Sequence, residues 1–173
     1  AVVKGLPRED LSHEEFRLLS WAIGLRAGVA RPQGLTSQYI SAVRNIGTNY
    51  RAANGRGYSS NAKLDFHVDV ADLTTLTCYN KAKSGGQSMI SSGITAQNYL
   101  IKERPDLAET AYQYFYFSRQ NEQSSDETSF YGLPLFEEEN GSLFCNWNRN
   151  RVQSAQNLEE VPKLSPAQRE TMD

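Results

Sequence analysis

Residues 66–73 read FHVDVADL. His67 and Asp69 stand two positions apart in this run, among apolar residues in a strand-like pattern. On a strand, positions i and i+2 face the same side. An imidazole and a carboxylate would then be aimed at one point. Asp72 follows at an odd spacing from His67 and falls on the opposite face, so it is set aside as the carboxylate.

Neutral imidazole plus carboxylate suits Fe(II), Mn(II) or Zn(II). A second histidine would complete the two-histidine, one-carboxylate facial triad of non-haem Fe(II) oxygenases. The chain has one other histidine, His13. It falls in the polar first turn of a helix that Ser12 opens, with Glu15 in the capping-box position, and it reads as exposed. Standing alone, an H-x-D pair is more often a hydrogen-bonded structural pair than a metal site.

The totals narrow the setting. A chain of 173 residues is one domain's worth, enough to bury a core. The net charge of −2 gives no bulk electrostatic signal for nucleic acid or a membrane surface. The acidic run Glu137–Glu139 reads as a solvated turn. Cys78 and Cys145 lie in apolar, strand-like stretches without CxxC spacing. They read as buried free thiols in a reducing compartment, which sets the expectation of a cytoplasmic protein. The triplet Asn140-Gly141-Ser142 is a glycosylation sequon of a kind that arises often by chance. No apolar run approaches membrane-spanning length.

Along the chain, residues 1–6 read as a strand. The Ser12 helix carries Phe16, Leu19 and Ile23 on an apolar face and ends at Gly24 or Gly28. Tyr39-Ile40 and Val43 mark a strand. Residues 47–63 are rich in Gly, Asn, Ser and Arg and form a long surface loop, a class of segment that often carries function. LTTLTCYN and SMISS read as strands around a turn at KSGGQS. Thr95 caps a helix that runs to about Ile101. Arg104-Pro105 breaks it, and Asp106 caps another. YQYFYFS is a strand. LPLFEEENGSLFCNWNRNRVQSAQ reads as a hairpin around Glu139-Asn140-Gly141. Ser165, Pro166 and Gln168 start a last helix. The sum is an α+β protein on an antiparallel sheet, such as a jelly roll with helical flanks.

Phe66-His67-x-Asp69, then a strand, then Lys83-x-Gly85-Gly86-x-Ser88 resembles the taurine-dioxygenase-like (TauD/TfdA) family of Fe(II)/2-oxoglutarate-dependent oxygenases. In that family an H-x-D pair is followed by a strand, a Gly-Gly turn and a Thr or Ser. VVKGLP, LSHEEFRLLSWAIG, ARPQG, NGSLFCNWNRNRVQSAQ and LSPAQRE resemble further family elements, so the resemblance covers nearly the whole chain. It implies a double-stranded β-helix, the jelly-roll core of these enzymes. It implies Fe(II) as metal and 2-oxoglutarate as co-substrate, with dioxygen and a small organic substrate as the other partners. His67 and Asp69 would be two of three iron ligands. Ser88 would hydrogen-bond the 2-oxoglutarate carboxylate, while Gly85 and Gly86 serve the turn. The family's reaction couples oxidative decarboxylation of 2-oxoglutarate to oxidation of a C–H bond.

The family also needs a second histidine and an arginine that pairs with the far carboxylate of 2-oxoglutarate. Both follow the helix that here begins at Ser165. Arg149 and Arg151 belong to the earlier hairpin and do not match that arginine, nor does His13 match the histidine. The expectation is therefore that residues 1–173 are a single partial domain without its C-terminal strands. A second polypeptide or segment would carry the distal His and Arg. The alternative is a truncated, non-catalytic relative that acts as a binding or regulatory subunit. A chance resemblance with a structural His/Asp pair is a third reading. Loops 47–63 and 118–132 are expected to frame the pocket. Gln33 and Tyr58 are weak substrate-binding candidates, since surface or packing roles are the more usual ones for such residues. No residue set selects among substrate classes.

Overall fold

Ser12 begins the first helix, α1 (His13–Ala27), as its capping box predicts. Its hydroxyl accepts the Glu15 N–H, and the Glu15 carboxylate accepts the Ser12 N–H at 2.8 Å. The Ser12 hydroxyl also donates to the Glu15 carboxylate at 2.6 Å, and this bond, with that of the Ser12 N–H, holds the Glu15 carboxyl below its ordinary pKa. The computed structural model describes residues 2–33, 38–50 and 56–173. The chain divides into two compact units, Ala1–Ala42 with Ala71–Ser88, and Val43–Val70 with Met89–Asp173.

In the first unit, Phe16 is the buried residue of α1. Tyr79 packs on it at 5.3 Å between ring centroids and takes the edge of His13 at 5.0 Å. The Arg8 guanidinium sits 3.8 Å above the Tyr79 ring and donates to the Tyr79 carbonyl. Ser20 and Thr77 share a hydrogen bond at 2.8 Å. His13 is exposed, as expected.

Three expected strands do not form here. Residues 2–6 and 39–43 are irregular, and Gln33 and Gln38 make a single antiparallel bridge. LTTLTCYN is irregular too, held to α1 by side chains rather than by a ladder. Strand preference is a fit to a pleated, half-buried surface, and these segments have none to join among the described residues. Cys78 is consequently exposed, not buried. Gly85 and Gly86 take left-handed φ of 71° and 73°, which the predicted turn requires.

The second unit holds helices α2 (Gly93–Glu103) and α3 (Pro105–Ala111), then strands β1 (Tyr114–Ser118), β2 (Phe130–Pro134), β3 (Phe136–Glu139) and β4 (Ser142–Cys145). Helices α4 (Arg149–Ala155) and α5 (Pro166–Met172) follow. Ser92, not Thr95, caps α2 and accepts the Thr95 N–H; SMISS forms no strand. Asp106 does not cap α3. Its carboxylate instead receives two hydrogen bonds from Arg104, at 3.0 and 2.8 Å, and Arg104 also reaches Glu170 on α5. The Arg104 guanidinium holds the Asp106 carboxyl below its ordinary pKa.

β1 alternates as a strand with one face inside: Phe115 and Phe117 are buried, and Tyr114 and Tyr116 point away. It pairs antiparallel with β2, setting Phe115 opposite Leu133 and Phe117 opposite Tyr131, whose rings stack 5.4 Å apart. Gly132 lies opposite Tyr116, and a Cβ there would come within 3.0 Å of the Tyr114 ring. β3 and β4 form the predicted hairpin. Asn140 and Gly141 have φ of 52° and 75°, the mirror-image turn that Asn-Gly favours. Glu137–Glu139 lie in β3 on its exposed positions, not in a turn.

NRNRVQSA does not continue the hairpin. Asn148 accepts the Arg151 N–H through its side chain and starts α4, so Arg149 and Arg151 are helical. Val152 and Ala155 on this helix are fully buried. Phe115, Phe117, Leu135, Phe136, Val152, Ala111 and Met172 make one core, with Cys145 packed at its margin. Burial raises the Cys145 thiol pKa. Ser165 caps α5 with Gln168 in a complete capping box. The α+β class is as expected, with the β part limited among the described residues to two antiparallel pairs. No described helix is long and apolar enough to cross a membrane.

Phe115→Ala should destabilise the second unit by about 3–5 kcal/mol, and Ser165→Ala by about 1 kcal/mol, in urea unfolding followed by circular dichroism. In the folded chain Cys78 should react with a thiol reagent well before Cys145, since it is exposed and Cys145 is half-buried with a raised pKa.

Candidate metal centre

His67 is fixed to the second unit through its backbone. It forms an isolated antiparallel bridge with Asn148, and the next residue, Val68, donates its N–H to the Trp147 carbonyl at 2.7 Å. Residues 146–148 are placed by the core: Asn146 donates its N–H to the Leu135 carbonyl and its side-chain amide to the Pro134 carbonyl. The H-x-D segment is therefore extended but bridged at one point rather than built into a strand. That corrects the expected strand. The facing expected of i and i+2 survives, because extended backbone alternates whether or not it is paired.

The imidazole Nδ1 lies 2.8 Å from the Asp65 carbonyl oxygen. A carbonyl has no proton to give, so Nδ1 is the donor. In the neutral ring this leaves Nε2 with a free lone pair, the form in which histidine binds a metal. Nε2 lies 3.8 Å from the nearer Asp69 carboxylate oxygen. That is too long for a hydrogen bond. Two donors each about 2.1 Å from a shared cation would stand about 3.0–3.5 Å apart. The pair is thus close to a chelating separation, and its donor types fit Fe(II). The side chains are 38% and 57% exposed, open to a further ligand. Among the described residues, no group of three or more His, Cys, Asp and Glu side chains is placed to hold a metal ion.

Two hollows flank it. A cavity of about 30 Å³, bounded by Asp69, Tyr131, Leu133, Asn146 and Asn148, has room for about one water molecule. Burial raises the Tyr131 phenol pKa there, opposed by the nearby Arg151 and Arg119. A wider polar depression of about 420 Å³ is lined by Thr48, Tyr50, Ser60, Asn61, Lys63 and Asp65. It is formed by residues 48–50 and 60–63 of the long loop, whose residues 51–55 lie outside the described ones, and it ends on the residue whose carbonyl holds His67.

Of the other expected site residues, Tyr58 belongs to the 3₁₀ turn Gly57–Ser59 and is 45% exposed; its carbonyl accepts the Arg44 N–H at 2.9 Å. It does not line the polar depression. Gln33 belongs to the first unit, where its amide reaches the Tyr39 carbonyl at 3.4 Å. Ser88, exposed, closes that same unit. Arg151 is not free for a co-substrate carboxylate: it donates to the Ser118 carbonyl at 3.0 Å and pairs with Glu122. Arg149 pairs with Asp173. Asp65 and Asn148 are the residues that the sequence reading missed. Asn148 carries an N-cap signal before a helix-forming run, whereas Asp65 acts through its backbone and carries none.

The model of the family described as taurine catabolism dioxygenase TauD, TfdA family, matches residues 1–173. FR-33289 synthase of Streptomyces rubellomurinus is 29% identical over 148 residues, which cover 85% of this chain and 44% of that protein. The taurine hydroxylase-like protein SAT17 of Stachybotrys chartarum is 30% identical over 84 residues, 49% of this chain and 21% of its own length. The chain spans less than half the length of the curated relatives it matches. The family carries a jelly-roll fold, and the antiparallel pairs and flanking helices described above accord with it. With the family model matched from the first residue to the last, this chain belongs to the TauD/TfdA family.

Proposed function

We propose that this chain is the metal-bearing part of an Fe(II)- and 2-oxoglutarate-dependent dioxygenase that oxidises a C–H bond of a small organic substrate. The observation that carries the reading is the hydrogen bond from His67 Nδ1 to the Asp65 carbonyl, which leaves Nε2 bare beside the Asp69 carboxylate. Family membership supports the metal and the co-substrate.

In this reading His67 and Asp69 are two iron ligands. Asp65 fixes the tautomer of the first, and the carboxylate of the second offsets the metal's charge. Ser88, which matches the family's Thr or Ser, donates a hydrogen bond to the 2-oxoglutarate carboxylate. The polar depression beside Asp65 receives the substrate. When bound, the metal and 2-oxoglutarate supply the oxidising chemistry, and the protein orients them and limits water.

The fold is a double-stranded β-helix of which residues 1–173 form one part. The distal histidine and the arginine that pairs with 2-oxoglutarate come from another segment or polypeptide. Support comes from the sequence, whose second histidine, His13, lies in the first turn of α1, and from the H-x-D segment itself. Its alternate residues Leu64, Phe66, Val68 and Val70 are 37%, 50%, 39% and 59% exposed, an apolar face suited to cover by further strands.

Fe(II) and 2-oxoglutarate, added without oxygen to the native assembly, should give the weak visible charge-transfer band of a chelated complex. His67→Ala and Asp69→Ala should abolish the band while changing unfolding free energy by no more than about 0.5 kcal/mol, because both side chains are exposed. Ser88→Ala should weaken 2-oxoglutarate binding and leave metal binding intact. Absence of the band from the assembly would overturn the enzyme. A partner protein held equally well by the His67→Ala and Asp69→Ala variants would favour a non-catalytic subunit.

A further inference from the structure

The depression beside the metal pair is built from a loop that Arg56 fastens to the turn between β1 and β2. Arg56 donates from Nη1 to the Gln120 side-chain oxygen at 2.5 Å and from Nη2 to the Gln120 carbonyl at 2.8 Å. The same Nη2 lies 3.0 Å from the Glu122 carboxylate. Glu122 also faces Arg151 of α4 at 3.5 Å. The three side chains are only 19–27% exposed, so this network is less screened than an ordinary surface pair.

The receiving end is specialised. Gln120 and Asn121 have φ of 55° and 61°, and the Glu122 N–H returns to the Arg119 carbonyl at 3.0 Å. This is a mirror-image turn with a glutamine at a position that usually takes Gly, Asn or Asp. Left-handed backbone is unfavourable for such a residue and persists where its surroundings hold it. Arg56 binds both the side chain and the carbonyl of that glutamine.

The path from Arg56 to the metal pair is short. Gly57 follows it, and a Cβ on Gly57 would fall 2.7 Å from Leu64 Cδ2, so Leu64 closes directly on the turn. Leu64 precedes Asp65, whose carbonyl accepts from His67 Nδ1. Two backbone bonds, from the Arg44 N–H to the Tyr58 carbonyl and from the Ile46 N–H to the Ser59 carbonyl, tie the turn to the segment just before the loop. Arg56 ties the start of that turn to the β1–β2 turn. His67 is registered separately, through Asn148. The Asp65–His67 bond therefore joins two anchored parts, and its geometry depends on both anchors.

We infer that Arg56 and Glu122 are positioning residues for the metal centre: their ion pair holds the 57–65 segment so that Asp65 fixes His67 in the metal-binding tautomer. The inference rests on the iron reading above for its purpose, but its mechanical part concerns this chain alone.

The tautomer is directly observable. With only two histidines in the chain, long-range ¹H–¹⁵N spectra at about pH 8.5, two units above the ordinary imidazole value, resolve His67 by its loss in His67→Ala. The wild-type chain should show His67 protonated predominantly on Nδ1. Arg56→Ala and Glu122→Gln should shift it towards a mixture of tautomers. Arg56→Lys, which keeps the charge, should stay closer to wild type, and the exchange Arg56→Glu with Glu122→Arg should recover part of the loss. Mn(II) affinity, read by electron paramagnetic resonance, should fall about tenfold in Arg56→Ala, the scale of an outer-shell defect. Amide dispersion reports whether each variant is folded, and the two conservative variants guard against collapse of the alanine one. An unchanged tautomer in folded Arg56→Ala and Glu122→Gln chains would overturn the inference, as would a wild-type His67 protonated on Nε2. A tautomer that follows Arg56 in a chain whose Mn(II) binding ignores His67 and Asp69 would uphold the coupling and overturn the iron reading.

Discussion

Everything around the candidate centre hangs on the buried face of β1. Phe115 and Phe117 are sealed against Leu135, Phe136 and Val152, and these five are the largest fully buried side chains described. Burying a residue of this size contributes roughly 1.5–3 kcal/mol, the largest single contributions any side chains of this unit can make. That packing fixes Leu135, whose carbonyl takes the Asn146 N–H, and so fixes residues 146–148. His67 is then placed by one backbone bridge to Asn148. The candidate centre is two steps from the core: apolar packing sets a backbone edge, and the edge places His67.

The polar side of the centre is organised differently. The long loop has little apolar content, so it cannot be held by burial. It is held by a charge-assisted network in a half-buried setting, where each ion pair is worth more than at a fully exposed site and where removal of one partner strands the other. Glu122, between Arg56 and Arg151, serves the loop, the β1–β2 turn and α4 at once. The same arrangement explains why Arg151 is unavailable to an anionic co-substrate. Its charge is committed to the scaffold.

What the sequence disclosed is what local chemistry decides. Ser12 with Glu15, Ser165 with Pro166 and Gln168, and Asn140-Gly141 each settle a helix start or a turn within four residues, and each is found where expected. The aromatic run YQYFYFS was legible as a strand, and β1 forms within it. LTTLTCYN and SMISS were not, because their strand preference depends on a partner edge that the described structure does not offer. The helix at Arg149–Ala155 was missed because NRNRVQSAQ reads as part of the hairpin, although Asn148 is a good cap. At the site, His67 and Asp69 announce themselves by residue type. Asp65 does not, since a backbone carbonyl has no signature. Neither do Arg56 and Glu122, since 66 positions separate them and nothing local links them.

Magnitudes also bear on whether His67 and Asp69 are together for stability. A structural pair would be expected to bury its polar atoms and to bond directly, because that is how such a pair gains. Here the nearest charged-group atoms are 3.8 Å apart, the side chains are 38% and 57% exposed, and the imidazole Nδ1–H already donates its hydrogen bond to a carbonyl. Exposed pairs of this kind contribute at most about 1 kcal/mol and often nothing measurable. The backbone bridge to Asn148 would hold the segment equally well with other side chains, since it uses only main-chain groups. Stability therefore gives no reason for an imidazole lone pair to stand bare beside a carboxylate. Coordination does, because a cation shared between the two would gain from both donors at a separation the backbone has already set.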